Sequence, residues 1–320
     1  MNKRTIVWLT VATALAVIGA MIFLGGMTML NWNFANLSTT KLETNEYKIS
    51  EEYTDISIST NTADIIIAPS EDEKTAVVCQ EEANLKHSVC VKDGKLCIEL
   101  VDARKWYEHM SIGFTNHKIT VYLPQGEYGK LNIDTDTSDT EIRSALTFES
   151  VNIKQDTGNV KFSATVTNAL NVRTSTGDIH VEGITAGSLE LRASTGKISI
   201  TDVNCTGDVI TSVSTGKTLI TNLSCASLAS SGTTGKAVFK NLIAAGKLSA
   251  DRDTGDIILD GCDAAEIFIE TSTGDISGSL LSPKIFSHST DTGSVALPDS
   301  TSGGLCKLIT NTGDIRITIK

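Results

Sequence analysis

Three Asp-Thr-Gly triplets are the first feature of the sequence that could do chemistry; they begin at Asp156, Asp253 and Asp291. Aspartic peptidases use two such loops to bring together two carboxylates that share a proton. In other Thr-Gly pairs the same position holds a different polar residue, at Ser175, Ser194, Ser214, Thr233, Ser272 and Asn311. Aspartate is therefore one of several turn-forming residues here, and the sequence does not predict a peptidase.

A second acidic row follows the glycines of these pairs, at Asp178, Asp256, Asp275 and Asp314. A calcium ladder is one interpretation, in which adjacent Asp256 and Asp275 hold one ion. Calcium-binding repeats, however, are Gly- and Asp-rich nonapeptides. Lysine also replaces aspartate in the middle of the row, at Lys197, Lys217 and Lys236. We therefore expect solvated corners and assign no metal or other cofactor.

The histidines give no catalytic or metal-ligand spacing, because they are dispersed along the chain at His87, His109, His117, His180 and His288. β-Helical lyases and hydrolases that act on polysaccharides need clustered carboxylates or basic residues on one exposed strand face. The sequence shows no such cluster. The chain is accordingly predicted not to be an enzyme, with a carbohydrate-active enzyme of the envelope as the alternative.

Seven cysteines would suggest disulfides in an extracellular chain, but the number is odd. Cys205 and Cys225 occupy the same place after their turn glycines, so they would stack at a separation that a disulfide tolerates, although stacked side chains often miss the required torsion. Cys262 lies in an apolar register and is expected to be buried and free. A second bridge could join two members of an N-terminal group, Cys79, Cys90 and Cys97.

A repeat must position these residues, since the Thr-Gly pairs recur every 19 or 20 residues. Asp, Asn or Ser at the start of each turn can bond the backbone two residues on, and glycine supplies the positive φ that branched side chains resist. Each pair is therefore interpreted as a structural turn. The turn glycines are Gly158, Gly177, Gly196, Gly216, Gly235, Gly255, Gly274, Gly293 and Gly313.

Each turn is followed by apolar residues that alternate with polar ones, as at Ile198 and Ile200. A second alternating pair precedes the next turn, as at Leu189 and Leu191. One such turn cannot bury its apolar face alone, whereas stacking the turns builds a continuous core. The sequence thus predicts an all-β, single-chain β-solenoid with turns of 19–20 residues, irregular over 47–136 and regular over 137–320.

The region from about residue 47 to the C-terminus resembles the bacterial toastrack family, also known as "putative adhesin" domains of unknown function. The resemblance rests on an N-terminal anchor, the stretch over 60–67, the strand over 119–124 and the repeated Ser-Thr-Gly-Asp-Ile turns. It implies a membrane-anchored β-solenoid of the envelope, in a family that includes accessory proteins of envelope-stress signalling. It carries no catalytic motif.

The segment from Thr5 to Leu30 carries no charge and is long enough to cross a bilayer as a helix. Lys3 and Arg4 precede it, so the positive-inside rule places residues 1–4 in the cytoplasm and the bulk of the chain outside the cell membrane, in a single pass. A cleaved signal peptide is the alternative, because alanines offer a cleavage point. Residues 31–46 are polar and are predicted to be a spacer.

Residues 102–118 break the repeat and concentrate aromatic and histidine side chains, including Trp106, Tyr107, His109 and Phe114. Loops on rigid scaffolds carry binding, and aromatic residues anchor interfaces, so these four residues form the predicted partner-binding surface. The alternative is that they cap the N-terminal end of the core.

The repeat continues almost to the C-terminus, so the strand over 314–320 is predicted to be an uncapped edge. Unpaired backbone groups at such an edge are a template for another strand, from a second copy or from another envelope protein. Outward Arg316 and Lys320 would oppose such pairing through their charge.

The formal net charge is −11, and Lys3 and Arg4 are the only charges before residue 31, so the rest of the chain is more acidic still. Phosphate backbones attract basic stripes, and nucleic acid is therefore not an expected partner. The sequence predicts a non-catalytic, membrane-anchored extracellular protein that acts in binding, adhesion or envelope-stress sensing through its solenoid surface.

Overall fold

The structure of the chain is a computed structural model, which describes residues 2–29, 32, 42–104 and 117–320. This part of the chain begins with a helix, α1 (Lys3–Met29). Strands make up 68% of the residues that the structure describes. In chain order they are β1 (Leu42–Ile49), β2 (Asp55–Thr60), β3 (Asp64–Pro69), β4 (Thr75–Glu82), β5 (Leu85–Lys92), β6 (Lys95–Asp102), β7 (Lys118–Leu123), β8 (Glu127–Thr137), β9 (Thr140–Ile142), β10 (Thr147–Thr157), β11 (Val160–Phe162), β12 (Thr165–Thr176), β13 (Ile179–Glu182), β14 (Thr185–Cys205), β15 (Val209–Cys225), β16 (Leu228–Thr234), β17 (Ala237–Thr254), β18 (Ile257–Thr273), β19 (Ile276–Leu280), β20 (Ile285–Thr292), β21 (Val295–Ala296), β22 (Leu305–Thr312) and β23 (Ile315–Ile319).

Strands of successive turns pair in parallel and form a solenoid of about ten turns. We call the sheet that precedes the corner glycines face A; it contains β2, β8, β10, β12, β16, β20, β22 and parts of β14, β15, β17 and β18. Face B follows the glycines and contains β3, β9, β11, β13, β19, β21, β23 and the remaining parts of the long strands. The predicted all-β solenoid is confirmed.

The corner between the two faces explains why a glycine stands in each turn. Gly177 has a φ of 146°, which lies in the left-handed region that side chains resist. A Cβ atom on Gly177 would also collide with the carbonyl oxygen of Gly158 in the preceding turn. Successive corner glycines therefore stack backbone on backbone, and at Gly177 this close approach leaves no room for a side chain.

The solenoid core follows from the alternation of apolar and polar residues. Ile198 and Ile200 are fully buried, whereas Ser199 between them lies half-buried on the outside of face B. Each inward residue stacks on its equivalent in the next turn, as Ile179 does on Ile198. The result is one continuous apolar core along the solenoid, and its burial is the main favourable term in folding.

The first turn of the solenoid is formed by β2 and β3, which pair in parallel with β8 and β9. Residues 70–126 are an insertion between this turn and the next. In this insertion β4 pairs antiparallel with β7, and β5 pairs antiparallel with β6. The other side of β4 pairs antiparallel with β1, which precedes the first turn. These strands extend both faces beyond the first turn, so the region predicted to be irregular, 47–136, holds one regular turn and an antiparallel end.

The polar spacer predicted over 31–46 extends too far at its C-terminal end, because β1 begins at Leu42. The polar composition misled because β1 lies at the edge of its sheet. Tyr47 and Ile49 pack against the core, while Glu46 and Lys48, which alternate with them along the strand, are exposed. Residues 42–46 therefore belong to the β domain.

The last two turns stack out of chain order. β22 pairs directly with β18, and β23 pairs with β19. β20 and β21, which come earlier in the chain, pair with the far sides of β22 and β23 and form the outermost turn. The prediction that the strand over 314–320 is the open edge is therefore wrong, because that strand lies inside the ladder.

Burial explains this order. Leu308 and Ile315 are fully buried at inward positions of β22 and β23. The residues paired with them in the outermost turn, His288 and Val295, are exposed. Burying the histidine would cost its hydration, so the turn with the more apolar inward residues takes the inner place.

Candidate functional site

The aspartates that follow the turn glycines bond the backbone of the neighbouring turn. Asp178 Oδ1 accepts a hydrogen bond from the backbone N–H of Lys197 at 2.8 Å. In the same way Asp256 accepts from Asp275 N–H at 3.1 Å, and Asp275 accepts from Asp314 N–H at 2.8 Å. Each carboxylate thus joins two turns, and this structural role accounts for the acidic row without calcium.

The surroundings of Asp256 favour its ionised form. The N–H of Asp275 and the ammonium group of Lys236, 3.0 Å from Asp256 Oδ2, together hold the pKa of this carboxyl below its ordinary value. The lysines in the acidic row therefore neutralise neighbouring aspartates. The three lysines occupy successive turns between the aspartates, and those at the two ends of this block, Lys197 and Lys236, lie beside Asp178 and Asp256.

The three Asp-Thr-Gly aspartates do not form a pair. Asp156, Asp253 and Asp291 are all exposed. The ladder register places Asp253 next to Thr233 and Ser272, in the turns on either side, because Thr254 pairs with Thr234 and Thr273. Asp291 lies next to Asn311, and Asp156 lies between Ser175 and the exposed carboxylate of Asp136, which belongs to no Asp-Thr-Gly triplet. No two of the three triplets are therefore adjacent, as a peptidase pair would require.

An open groove of about 390 Å³ lies on the outside of face A and crosses five turns. We call it the face A groove. Its floor contains small residues, Ala229, Ser231 and Ser249. Ala229 pairs with Ser249 in the next turn, and Ser231 pairs with Asp251. Larger side chains stand at its sides: Ile210, Lys247, Phe268, Glu270, Lys307 and Ile309.

The groove combines one aromatic surface with charges of both signs. The ammonium group of Lys247 lies 4.1 Å from the centre of the Phe268 ring, within the range of a cation–π interaction. Asp251 pairs with Glu270 in the next turn, so two carboxylates stand side by side. The groove can therefore offer stacking, donors and acceptors to one ligand, but it lacks the three clustered carboxylates that would favour an enzyme.

A buried arginine, Arg252, forms hydrogen bonds to groove residues from the core side of the sheet. Arg252 is 2% exposed, and Gly232 in the preceding turn leaves the space for its guanidinium group. Its Nη1 donates to the carbonyl of Asp251 at 2.7 Å, and its Nη2 donates to the hydroxyls of Thr218 at 2.8 Å and Ser230 at 3.1 Å. Burial lowers the pKa of Arg252 to about 10.

A second polar group lies inside the antiparallel end of the fold, around His87. Its Nε2 lies 2.9 Å from Thr60 Oγ1, and its Nδ1 lies 2.8 Å from Glu81 Oε2. This row could not be predicted from the sequence, because Thr60, Glu81 and His87 are separated along the chain. A hydrolase would need such a row to be open to substrate, and here His87, Thr60 and Glu81 are all buried.

The remaining histidines do not join this group. The imidazole of His117 lies 3.3 Å from a carboxylate oxygen of Glu82, and that of His180 lies 3.0 Å from Glu182. His288 is exposed on the outermost turn. His109 falls outside the described residues, as do Trp106, Tyr107 and Phe114, so the partner-binding surface predicted there stays a prediction.

All seven cysteines are free. Cys205 and Cys225 are both buried in adjacent turns, and burial raises the pKa of Cys225 to about 12. Cys90 is exposed and pairs directly with Cys97 across the β5–β6 hairpin. Neither bridge considered from the sequence is present, and Cys262 is buried and free as predicted.

Helix α1 is the one helix in the described part of the chain that is long and apolar enough to cross a membrane, with a mean hydropathy of 2.4 over its best window. A signal sequence near an N-terminus has the same length and composition. The helix is thus a candidate membrane span.

Comparison with known proteins identifies relatives by sequence and by fold. A sequence model described as Toastrack DUF4097 matches residues 53–216. No curated protein matches the chain. A solved "putative adhesin" from Parabacteroides distasonis ATCC 8503 is 16% identical, with 87% of this chain and 98% of that chain covered and a TM-score of 0.51.

Two further solved structures align over a similar length. A "putative adhesin" from Bacteroides fragilis NCTC 9343 is 19% identical, with 87% of this chain and 97% of that chain covered and a TM-score of 0.47. A "putative lipid binding protein" from Parabacteroides distasonis ATCC 8503 is 19% identical, with 88% and 98% covered and a TM-score of 0.44. At these identities the likeness concerns the fold alone.

Proposed function

This chain belongs to the toastrack family, and from that premise we propose that it is a non-catalytic binding protein of the cell envelope. In this proposal α1 anchors the chain in the cell membrane by a single pass, with Lys3 and Arg4 on the cytoplasmic side. The solenoid then stands outside the membrane and presents its surface for adhesion or envelope sensing.

The observation that carries the proposal is the face A groove. A binding site needs a recess with an apolar surface and a few well-placed polar groups, and Phe268, Asp251 and Glu270 provide these. The parallel ladder beneath fixes the spacing of the groove residues, and Arg252 ties the floor to the interior. The backbone of the groove is therefore in place before a ligand binds, which lowers the cost of ordering on binding.

A carbohydrate-active enzyme is the second candidate, and it rests on the adjacent carboxylates Asp251 and Glu270. Glycosidases use two carboxyl groups, one of which has its pKa raised by an apolar surrounding. Both residues are exposed here, so their environment does not separate them into an acid and a base. This arrangement is better suited to accept hydrogen bonds from hydroxyl groups than to break a glycosidic bond.

Cosedimentation with isolated peptidoglycan sacculi tests binding by the groove. The full chain in detergent is compared with Ser249→Trp, which places a large side chain on the groove floor, and with Ser199→Trp, a matched change at a half-buried serine on face B. We expect at least tenfold weaker binding for Ser249→Trp and no change for Ser199→Trp. Equal binding by all three proteins, or none by the unmodified chain, would contradict wall binding by the groove.

The same incubation separates binding from catalysis. Release of new reducing ends that stops in Asp251→Asn would support the enzyme, whereas intact glycan supports the binding protein. Anchoring is tested by mass spectrometry of the chain extracted from membranes. A mature N-terminus after residue 20 would contradict the single-pass proposal and support a cleaved signal peptide.

A further inference from the structure

The polar group around His87 contains a third kind of side chain that the Thr60–His87–Glu81 row does not use. Cys79 lies on β4, two residues from Glu81 and on the same inward side. Its Sγ, a carboxylate oxygen of Glu81 and a ring nitrogen of His87 all lie within 4.8 Å of one another. Across the residues that the structure describes, no other group of three such ligand atoms converges in this way.

The carboxylate of Glu81 and its two neighbours are buried in a core that is mainly apolar. Glu81 and Cys79 are 0% exposed and His87 is 4% exposed. A buried carboxylate is costly unless a positive charge or several donors compensate it. The carboxylate of Glu81 accepts hydrogen bonds from Asn45 Nδ2, from the backbone N–H of His87 and from the His87 ring, and these donors offset part of that cost.

From this geometry we propose that Cys79, Glu81 and His87 form a binding site for a divalent transition metal, with Zn²⁺ as the expected ion. A thiolate, a carboxylate and an imidazole are all established ligands of zinc, and a thiolate disfavours Mg²⁺ and Ca²⁺. One thiolate and one carboxylate carry two negative charges, which balance the two positive charges of the ion. The occupied site is therefore neutral, as a buried site requires.

The neighbouring residues hold the ligands in a suitable orientation. Asn45 Nδ2 donates to Glu81 Oε1 at 2.7 Å, which leaves Oε2 directed towards His87. Thr60 Oγ1 contacts Nε2 of the imidazole, which leaves Nδ1 as the nitrogen directed towards the carboxylate. Such hydrogen bonds behind the ligands are a regular part of metal sites, because they fix the imidazole tautomer and the ligand geometry.

The proton balance of binding is simple. Without metal, a neutral imidazole carries its proton on Nδ1 and donates it to Glu81. When the ion binds, the imidazole proton resides on Nε2 and is donated to Thr60 Oγ1, while the thiol of Cys79 releases its proton to solvent. Because the thiol of Cys79 must lose its proton to bind the ion, metal binding is expected to be stronger at higher pH.

The bound ion would join two strands of the insertion, because Cys79 and Glu81 are on β4 and His87 is on β5. Thr60, at the end of β2 in the first solenoid turn, contacts the imidazole, so the site lies against the solenoid. This site lies apart from the face A groove and does not depend on its function.

Metal titration of the full chain in detergent, after treatment with a chelator, tests the proposal. We expect one equivalent of Zn²⁺ to bind, and Co²⁺ in its place to give a thiolate-to-cobalt charge-transfer band. Cys79→Ser should lose the band and bind Zn²⁺ at least tenfold more weakly. The control Cys90→Ser/Cys97→Ser removes the accessible thiols across the hairpin and should keep both.

Two readouts keep the test decisive if Cys79→Ser does not fold. X-ray absorption at the zinc edge of the unmodified chain should show one sulfur ligand with nitrogen and oxygen ligands. Zn²⁺ should also raise the melting temperature of the unmodified chain and of the Cys90→Ser/Cys97→Ser control. No bound zinc, a zinc spectrum with no sulfur or with two, or a cobalt band lost only in the Cys90→Ser/Cys97→Ser control would each overturn the proposal.

Discussion

At the scale of single residues, one step along a strand decides between core and solvent. Ile198 is fully buried, and Ser199 lies on the outside of face B. Ile198→Asp places a carboxylate among apolar side chains with no partner, and we expect it to lower the free energy of unfolding by more than about 3 kcal/mol. Ser199→Asp should change it by less than about 0.5 kcal/mol. Thermal and urea unfolding measure both, and similar losses would contradict the inward register.

Acid sensitivity should arise partly at the corner aspartates. The N–H of Asp275 and the ammonium group of Lys236 lower the pKa of Asp256 in the folded chain. A group with a lowered folded pKa stabilises the fold above its unfolded pKa, and this stability is lost as the pH falls through the folded value. Asp256→Asn should therefore reduce the loss of unfolding free energy that occurs as the pH falls below the ordinary aspartate pKa of about 3.9. The charge is partly exposed, so the effect is small.

The control for this prediction is Asp253→Asn, a change at an exposed carboxylate in the same turn. Its pH dependence should match that of the unmodified chain. Denaturant unfolding at a series of pH values measures the difference. If Asp253→Asn reduced the loss of unfolding free energy at low pH as much as Asp256→Asn does, the net charge of the chain, and not the hydrogen bonds of Asp256, would control acid unfolding.

The residues that the sequence could predict are those whose role repeats. Turn glycines and inward isoleucines recur with the period, so one rule covers many positions. His87 has no equivalent in other turns, and its neighbours Thr60, Glu81 and Asn45 come from three different strands. Sequence spacing reports local partners, and it carries no information on which strands an insertion brings together.

At the scale of elements, the order of the last two turns has a measurable consequence. β20 and β21 pair on one side only, whereas β22 and β23 pair on both. Amides at a free edge open more easily than those inside a ladder. Hydrogen exchange should therefore be faster in residues 285–296 than in residues 305–319, although the latter are nearer the chain end. Faster exchange in residues 305–319 would mean that the turns stack in chain order, with β22 and β23 outermost.

A pair of matched substitutions tests the same arrangement by stability. Leu308 is fully buried in β22, and His288, which pairs with it in β20, is exposed. Leu308→Asp should destabilise the last turns by more than about 3 kcal/mol, and His288→Asp by less than about 1 kcal/mol. Differential scanning calorimetry gives both values. If His288→Asp were the more harmful change, β20 would be the inner strand.

The period could not predict this order, because turns of equal length fit the stack in either sequence. The signal that could have done so is the composition of the inward positions. Residues 286, 288 and 290 are Phe, His and Thr, while the paired residues 306, 308 and 310 are Cys, Leu and Thr. Likewise the face A groove was missed because its floor depends on small residues in register, at Ala229, Ser231 and Ser249.

At the scale of the whole molecule, most polar side chains that could bind a ligand or react instead form hydrogen bonds that stabilise the solenoid. Corner aspartates bond the next turn, and inward threonines bond glycine carbonyls, as Thr310 Oγ1 does with Gly274 O at 3.0 Å. This leaves the face A groove and the Cys79–Glu81–His87 cluster as the places where side chains do more than the repeat demands. In this chain both proposed binding sites lie where the side chains depart from the pattern of the repeat.

The proposed topology makes a prediction about the exposed cysteine. Cys90 is the one exposed cysteine, and it lies on β5 in the insertion at the antiparallel end of the β domain. If the solenoid stands outside the cell membrane, a membrane-impermeant maleimide should label Cys90 in right-side-out membrane vesicles. Cys90→Ser should lose most of this label, because Cys97 is only partly accessible and the other five cysteines are buried. Labelling that appears only after detergent is added would place the solenoid on the cytoplasmic side and contradict the positive-inside assignment from Lys3 and Arg4.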